Sequence, residues 1–402
     1  MVYHGGVSRA TVGVYVHVPF CARVCPYCDF AVVGVRALAP DLEARYVDGL
    51  LRELEPRRGA FAGRRLASLY LGGGSPSLCR PESIGRIVRA VRAAFPAAEP
   101  LEITLEVNPS TLERERLPAF RDAGVNRVSL GVQSFEDRVL KRLGRAHRAG
   151  EARRSLRACR DAGFGALSLD LMFAAPGQTL AQLERDLDEA LDFGPEHLSS
   201  YELSVEAGTP FATAAERGQL ALPGEEEALA MFERLPARIE AAGYERYELS
   251  NYARPGFEAV HNRRYWQRLP VLGLGAGAHS SDPPGDETPF GVRRSNLRLP
   301  DAYLARVEAG TSAEAGPADV LDAATARGEA MFLSLRTRRG VDASAFAAEF
   351  GSPPRGFFHA EIEGLLAQSL VSEDAAGDLR LTHRGRLLSD GVFAHFVTAR
   401  GG

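Results

Sequence analysis

The sequence predicts an α/β protein: a six-unit, partial (open) TIM-like barrel followed by a winged-helix-like α+β domain. Three observations predict it. Short strand patterns alternate with helical ones over roughly the first 250 residues of a 402-residue chain, the rhythm of βα units around a parallel sheet. Polar residues recur at the ends of successive strands, where barrels gather their active sites. From about Pro300 the pattern changes to helices followed by a small hairpin.

In chain order the strands are Val12–Val18, Ser68–Leu71, Glu102–Val107, Arg127–Leu130, Leu167–Met172 and His197–Leu203. Each is short, rich in Val, Leu or Ile, and followed by a loop and a helical pattern. Leu180–Phe193 is one such helix, with Thr179 and Gln182 as its capping box. Tyr244–Leu249 reads as a further strand before an irregular stretch, within which Ser280–Glu287 is an exposed loop. Pro300–Gly310, Leu321–Leu335, Ala343–Phe350 and Pro354–Gln368 read as helices, and Leu370–Glu373 with Leu379–Leu381 as the wing hairpin. The expected division is a barrel over 1–255, an irregular segment over 256–299 and a C-terminal domain over 300–402.

Hydrophobic residues make up 45% and charged residues 25% of the chain, the balance of an ordinary globular protein. The net charge is −4, and residues 351–402 hold five Arg and no Lys against six acidic residues. The wing-like domain therefore lacks a basic footprint, and no nucleic-acid partner is expected. No apolar run reaches the length of a membrane span, and no signal peptide precedes the first cysteine. Five cysteines in such a chain are not a disulfide framework; the cytoplasm is the expected compartment. Cys159 lies on a helical pattern and reads as a small core residue.

Three cysteines carry most of the chemical information. Cys21, Cys25 and Cys28 stand in C-A-R-V-C-P-Y-C-D-F. One short loop with this spacing can wrap three thiolates around three irons of a cubane and leave the fourth iron open, whereas closed electron-transfer clusters normally use four thiolates. A zinc site would call for a second C-x-x-C knuckle, which is missing. The spacing is that of the radical S-adenosylmethionine (SAM) enzymes. The run L-G-G-G-S-P, Leu71 to Pro76, then offers backbone for close approach to the amino-acid head group of SAM, with the Ser75 hydroxyl beside it. Tyr15 can pack on the adenosyl group or the cluster, or simply within its strand. Tyr27, between cluster ligands, can screen the cluster from water. Glu106 at a strand end can accept from a ribose or an ammonium, and Gln133, Arg145 and Asp170 complete the ring. Taken singly, each of Glu106, Gln133, Arg145 and Asp170 reads as a satisfied structural polar group sooner than as a ligand; their common location favours a site. His261 opens H-N-R-R-Y-W beside Tyr265 and Trp266. Imidazole is a standard axial ligand of haem iron, and aromatic rings suit a porphyrin face. His279, among Gly273, Gly275 and Gly277, is the second candidate.

The chain resembles the oxygen-independent coproporphyrinogen oxidase-like radical SAM family over nearly its whole length. The matching runs are Y-V-H-V-P-F-C-A-R-V-C-P-Y-C-D-F, Y-L-G-G-G-S-P-S-L, G-V-N-R-V-S-L-G-V-Q-S-F, L-D-L-M-F-A-A-P-G-Q-T and Y-E-L-S-N-Y-A-R-P-G-F-E-A-V-H-N-R-R-Y-W. The resemblance implies a [4Fe–4S] cluster on Cys21, Cys25 and Cys28. It also implies SAM contacts from Tyr15, Tyr27, Gly73, Gly74, Ser75, Glu106, Gln133, Arg145 and Asp170. Two branches share this pattern. The dehydrogenases, which decarboxylate coproporphyrinogen III oxidatively, carry a fourth Cys where this chain has Phe30, and a longer segment before the cluster. The H-N-x-x-Y-W run belongs to the haem-chaperone branch, where its His is implicated in haem binding. The resemblance thus implies haem as cargo, with His261 as its ligand, and transfer to acceptor haemoproteins such as respiratory enzymes. It is compatible with a homodimer and with peripheral membrane contact, and it leaves open whether SAM cleavage is part of the function. Ser75 in place of the usual Thr keeps the hydroxyl, and Ala174–Ala175 replaces a more usual Gly-Leu.

Overall fold

Alternation along the strands sets the architecture. The computed structural model describes residues 8–397. Its central strands are β1 (Thr11–Val18), β2 (Arg65–Gly73), β3 (Ala97–Val107), β4 (Arg127–Gln133), β5 (Ala166–Phe173) and β6 (His197–Glu202). Every second residue is an aliphatic with almost no exposure: Val12, Val14 and Val16, Leu69 and Leu71, Ile103 and Leu105, Val128 and Leu130, Leu167 and Leu169. These point to one face and form a single core with the surrounding helices. The residues between them are polar or glycine and line the opposite, inner face.

The covering helices begin and end where local chemistry dictates. Pro40–Arg57 and Pro81–Ala94 each start on a proline, whose missing N–H is no loss in a first turn. Leu180–Phe193 carries the predicted Thr179/Gln182 capping box and stops at Gly194, in the left-handed conformation at φ 59°. Cys159 is buried on the Ala149–Asp161 helix, as expected of a core residue.

The six βα units are joined by further short strands, of which only β7 falls within a stretch expected to be a strand. β8 (Asn251–Ala253) pairs antiparallel with β6, and β7 (Glu245–Arg246) pairs antiparallel with β8, so the expected strand Tyr244–Leu249 is regular only at Glu245–Arg246. β9 (Val271–Leu274) runs parallel to β1 on its other side, and β10 (His279–Asp282), β11 (Val292–Ser295) and β12 (Asp319–Val320) continue antiparallel. The sheet order is β12-β11-β10-β9-β1-β2-β3-β4-β5-β6-β8-β7, an open, partial barrel with seven parallel strands at its centre. Two expectations are corrected here. The 256–299 segment is not irregular, and Ser280–Asp282 lies in β10 rather than in a loop. These strands span two to four residues and include glycines placed for contact: a Cβ on Gly273 would lie 2.2 Å from the His279 carbonyl oxygen.

A second core begins later than residue 300. Tyr303, Leu304 and Val307 of the Pro300–Glu308 helix belong to the barrel core, and the Tyr303 hydroxyl donates to Glu53 at 2.7 Å. The separate core gathers Met331, Leu335, Phe346, Ile362, Leu365, Leu379 and Phe396. It is built from helices Ala323–Leu335, Ala343–Phe350 and Arg355–Ala367 and the hairpin Val371–Glu373/Leu379–Leu381, the winged-helix outline. Charge fastens it to the barrel: Arg336 meets the buried Glu248 at 3.1 Å, and Arg268 reaches Glu349 at 2.8 Å. Among the described residues no helix is long and apolar enough to cross a membrane.

The short helix Val260–Trp266 closes the floor of the barrel. Glu102, fully buried in the middle of β3, accepts from the N–H groups of Val260 and His261 at 3.1 and 3.0 Å. Arg264, with no exposed surface, donates to the Pro270 and Thr11 carbonyls and to the Thr11 hydroxyl at 2.7–3.1 Å. Gly13 makes room for it, since a Cβ there would lie 2.6 Å from the Arg264 Cδ. Arg264→Met should strand these acceptors and lower stability by about 2–4 kcal/mol, read as a fall in Tm; an unchanged Tm would show that the floor is not held by this side chain.

Candidate functional site

The cluster loop is pinched at its base. β1 ends at Val18, and Phe20–Cys21 then pairs in parallel with Val33–Gly34, so residues 22–32 form a closed excursion at the C-terminal mouth of the barrel. Cys21 is buried, while Cys25 and Cys28 are half-buried. A turn from the Cys25 carbonyl to the Cys28 N–H, 3.1 Å, orders the middle of the loop. Burial pushes the Cys21 thiol up to about 11. Among the described residues no three His, Cys, Asp or Glu side chains converge on a single ion; a cubane does not ask for that, because each thiolate takes its own iron.

The glycine run lies against this loop with no space for side chains. A Cβ on Gly74 would sit 2.8 Å from the Val18 carbonyl oxygen and 3.0 Å from the Cys21 sulfur. One on Gly73, at φ 107°, would sit 2.5 Å from the His17 ring, and one on Gly72 would sit 3.0 Å from the Glu106 carboxylate. The N–H groups here are already used. Gly74 donates to Val18 and Ser75 to Phe20 at 2.8 and 2.9 Å, and Gly73 donates to Glu106 at 3.0 Å. The run therefore clamps the loop to the sheet, and its N–H groups are not free to meet a head group. His17 props the same junction, bridging the Tyr15 hydroxyl at 3.0 Å and the Ala31 carbonyl at 2.9 Å.

Two carboxylates face the mouth. Glu106 accepts from the Tyr70 hydroxyl at 2.7 Å, and burial pushes its carboxyl up to about 7. Asp170 accepts from Ser129 at 3.2 Å and is raised chiefly by burial. Both lack an ion-pair partner within bonding reach among the described residues, so a hydroxyl or cationic ligand would complete them. Arg145 brings positive charge from the far side. Its guanidinium donates to Asn108 at 2.5 Å and Gly131 at 3.0 Å and lies 3.7 Å from the Cys25 sulfur, while its buried Nε has no partner. Gln133 sits beside it with φ 66°, an unusual conformation for a non-glycine residue. Tyr27 lies against Arg145 and Cys25, its hydroxyl pushed up by burial.

The mouth thus collects the three cysteines, Tyr27, Gly73, Gly74, Ser75, Glu106, Gln133, Arg145 and Asp170. Asn108 belongs with them: its amide donates to Ser75 at 2.8 Å while its oxygen holds Arg145. It stands two residues past Glu106 in E-V-N-P, so the strand-end rule could have found it. Tyr15 lies one layer deeper, stacked with Tyr70 at 6.1 Å and 6.2 Å from the His261 ring.

His261 occupies the barrel floor. Only 1% of it is exposed, and its nitrogens face Ser68 at 3.0 Å and Tyr265 at 3.1 Å. Burial holds its pKa down at about 3, so the ring is neutral. In this conformation it has no open coordination position. His279 is exposed on β10, with burial and Arg298 lowering its pKa. The glycines around it serve the fold, for a Cβ on Gly275 would lie 2.5 Å from the His17 carbonyl oxygen.

The donor set fits the implied groups: three thiols on one loop, an orphaned guanidinium nitrogen and two unpaired carboxylates around one mouth. Cys25→Ala should abolish the brown chromophore formed on anaerobic reconstitution with iron and sulfide; a full complement of both in the variant would overturn the ligand assignment. As pH falls through about 7, Glu106 takes up a proton and loses acceptor strength. SAM affinity of the reconstituted protein should therefore weaken by about tenfold in all between about pH 8 and pH 6, and Glu106→Gln should flatten the slope. A wild-type affinity that stays constant across that range would exclude Glu106 from the contact.

Comparison with known proteins agrees with this arrangement. The Radical SAM superfamily model matches residues 15–190, and the HemN C-terminal domain model matches residues 321–388. The heme chaperone HemW of Bacillus subtilis is 34% identical over 388 residues, covering 95% of this chain and 98% of that protein. The Mycobacterium tuberculosis HemW is 36% identical over 382 residues, 94% and 93% of the two chains. The Escherichia coli HemW is 38% identical over 273 residues, 68% and 71%. In fold, the chain superimposes on the Escherichia coli coproporphyrinogen III oxidase HemN with a TM-score of 0.81 at 24% identity, covering 96% and 90%. An open radical SAM barrel with a HemN-type C-terminal domain, similar nearly end to end to curated heme chaperones, places the chain in the HemW family.

Proposed function

We propose that this protein is a haem chaperone that binds haem and passes it to acceptor haemoproteins, carrying a [4Fe–4S] cluster on Cys21, Cys25 and Cys28 and SAM at the barrel mouth. The observation that carries the reading is the likeness to a protein named heme chaperone over 95% of this chain, with H-N-R-R-Y-W in the floor helix and Phe30 where the dehydrogenase branch has a fourth cysteine. When bound, the cluster and SAM supply one-electron reductive chemistry at the mouth. The protein's own residues do the rest. Gly72–Gly74 hold the loop against the sheet. Glu106 and Asp170 offer acceptors to the ribose and ammonium. Arg145, fixed by Asn108, balances thiolate charge beside Cys25, and Tyr27 shields the loop from water.

His261 is the proposed iron ligand. Its neutral imidazole suits a metal, but Tyr265 must release Nε2 and the floor helix must shift before iron can reach it. The acceptors, respiratory enzymes among them, would be met in the cytoplasm or at a membrane surface.

A haem titration of the reconstituted wild type beside His261→Ala, read by optical spectrum, tests the reading. Saturable binding is expected, with the imidazole signature on iron lost in the variant. Absence of haem binding together with decarboxylation of coproporphyrinogen III would replace the carrier reading with a radical dehydrogenase.

A further inference from the structure

The floor helix has a second side. Between its outer face, the β7 strand and the helices Ala323–Leu335 and Ala343–Phe350 lies a cavity of about 780 Å³, within the size of small-molecule and cofactor sites. Trp266, the last residue of the helix and the one tryptophan of the chain, lies on its wall, and its indole N–H is buried without a partner. A buried donor left unpaired is costly and asks for an acceptor. Phe346 and Phe350, 4.7 Å apart, supply aromatic surface from the C-terminal domain.

The charges leave one cation over. Five arginines and four carboxylates line the cavity. Three of the carboxylates are paired: Glu258 with Arg263 at 2.7 Å, Glu349 with Arg268 at 2.8 Å and Glu245 with Arg338 at 3.3 Å. The fourth, Asp342, caps the Ala343–Phe350 helix through the Ala345 N–H at 2.8 Å. Arg246 donates to the Leu249 carbonyl. Arg339 alone has no ion pair or side-chain hydrogen bond among the described residues, and it is exposed at the turn Thr337–Gly340. The surplus guanidinium suits a carboxylate. No histidine, cysteine or methionine is among the described residues that line the cavity, so it offers no soft or imidazole ligand to a metal.

We propose that this cavity is a docking site for the tetrapyrrole, holding the ring between Trp266 and the Phe346–Phe350 pair and an acid side chain at Arg339, without a bond to the iron. The proposal rests on the carrier reading and adds a second site, on the opposite face of the floor helix from His261, which would hold the iron in a separate step. A site that grips ring and carboxylate and leaves the metal free suits a protein that must give its cargo up, since an acceptor's axial ligands can then compete for the iron. It also gives the C-terminal domain a part in binding, as one wall of the site.

The test uses the full reconstituted chain and two probes, haem and metal-free deuteroporphyrin IX, titrated by absorbance against wild type, Arg339→Glu and Ala345→Trp. Both substitutions at the cavity lie at exposed positions, and an unchanged Tm checks their folding. Both probes should bind wild type. Arg339→Glu should weaken each by about fivefold, and Ala345→Trp, which fills the cavity, by at least about tenfold. Wild-type affinity for both probes in both cavity variants would overturn the site and leave the carrier reading standing. Haem binding without binding of the metal-free ring would also overturn it, by showing that iron ligation is required. Binding of neither probe to wild type would remove the carrier reading itself.

Discussion

The closeness of three glycines to the cysteine loop is the constraint on which the rest depends. Gly74 lies against Cys21 and the Val18 carbonyl, Gly73 under the His17 ring and Gly72 against Glu106, so that a Cβ on any of them would crowd its neighbour at 2.5–3.0 Å. Two backbone bonds, Gly74 to Val18 and Ser75 to Phe20, tie the loop to the second strand. The thiols are thereby brought to the same mouth as the carboxylates of β3 and β5 and the guanidinium that follows β4. Loosen the clamp and the cysteines remain close in sequence but lose their position relative to Glu106 and Arg145.

Below the mouth, the barrel is filled differently from an ordinary parallel barrel, whose interior layers are bulky aliphatics. Here the inner positions carry Tyr15 and His17, Ser68 and Tyr70, Glu102 and Glu106, Arg127 and Ser129, Ser168 and Asp170, His197 and Ser199. Buried polar groups need partners, and most find them across neighbouring strands: Ser68 with His261, Ser129 with Asp170, Ser168 with His197 at 2.7 Å. The floor helix is part of this network. Glu102 receives its first N–H groups, His261 stacks on Tyr70 at 5.2 Å, and the Tyr70 hydroxyl holds Glu106. A continuous set of contacts therefore runs from the H-N-R-R-Y-W segment to Glu106 at the mouth.

Ion pairs join the C-terminal domain to the barrel, beside apolar contacts such as Phe290 on Phe350. Arg336 with Glu248 and Arg268 with Glu329 and Glu349 span the junction, and Arg336 lies 4.6 Å over the Trp266 ring. Interfaces of this polar kind permit relative motion more readily than a shared hydrophobic core. The floor helix sits between the two bodies, with His261 on its inner side and Trp266 on its outer side.

Much of this was legible in the sequence. The six strands, the Leu180–Phe193 helix with its cap, the Ala343–Phe350 helix and the wing hairpin follow from periodicity and punctuation, which are local. The cysteine spacing, the glycine run and the strand-end residues Glu106, Gln133 and Asp170 were visible because barrel geometry sends strand ends to one mouth. Asn108 was missed because its role is relational: nothing in E-V-N-P says that its amide will join Ser75 to Arg145. Strand β9 was missed because four residues, two of them leucine and one glycine, carry no periodic signal; their place beside β1 is fixed by pairing across some 250 residues of chain. His261 shows the same division. The sequence by itself determined that an imidazole would stand beside Tyr265 and Trp266 in a short polar run. Only the tertiary structure decided which way each would face, because Glu102, Ser68 and Arg264's hold on Thr11 fix the rotation of a helix of seven residues, too short to fix its own orientation.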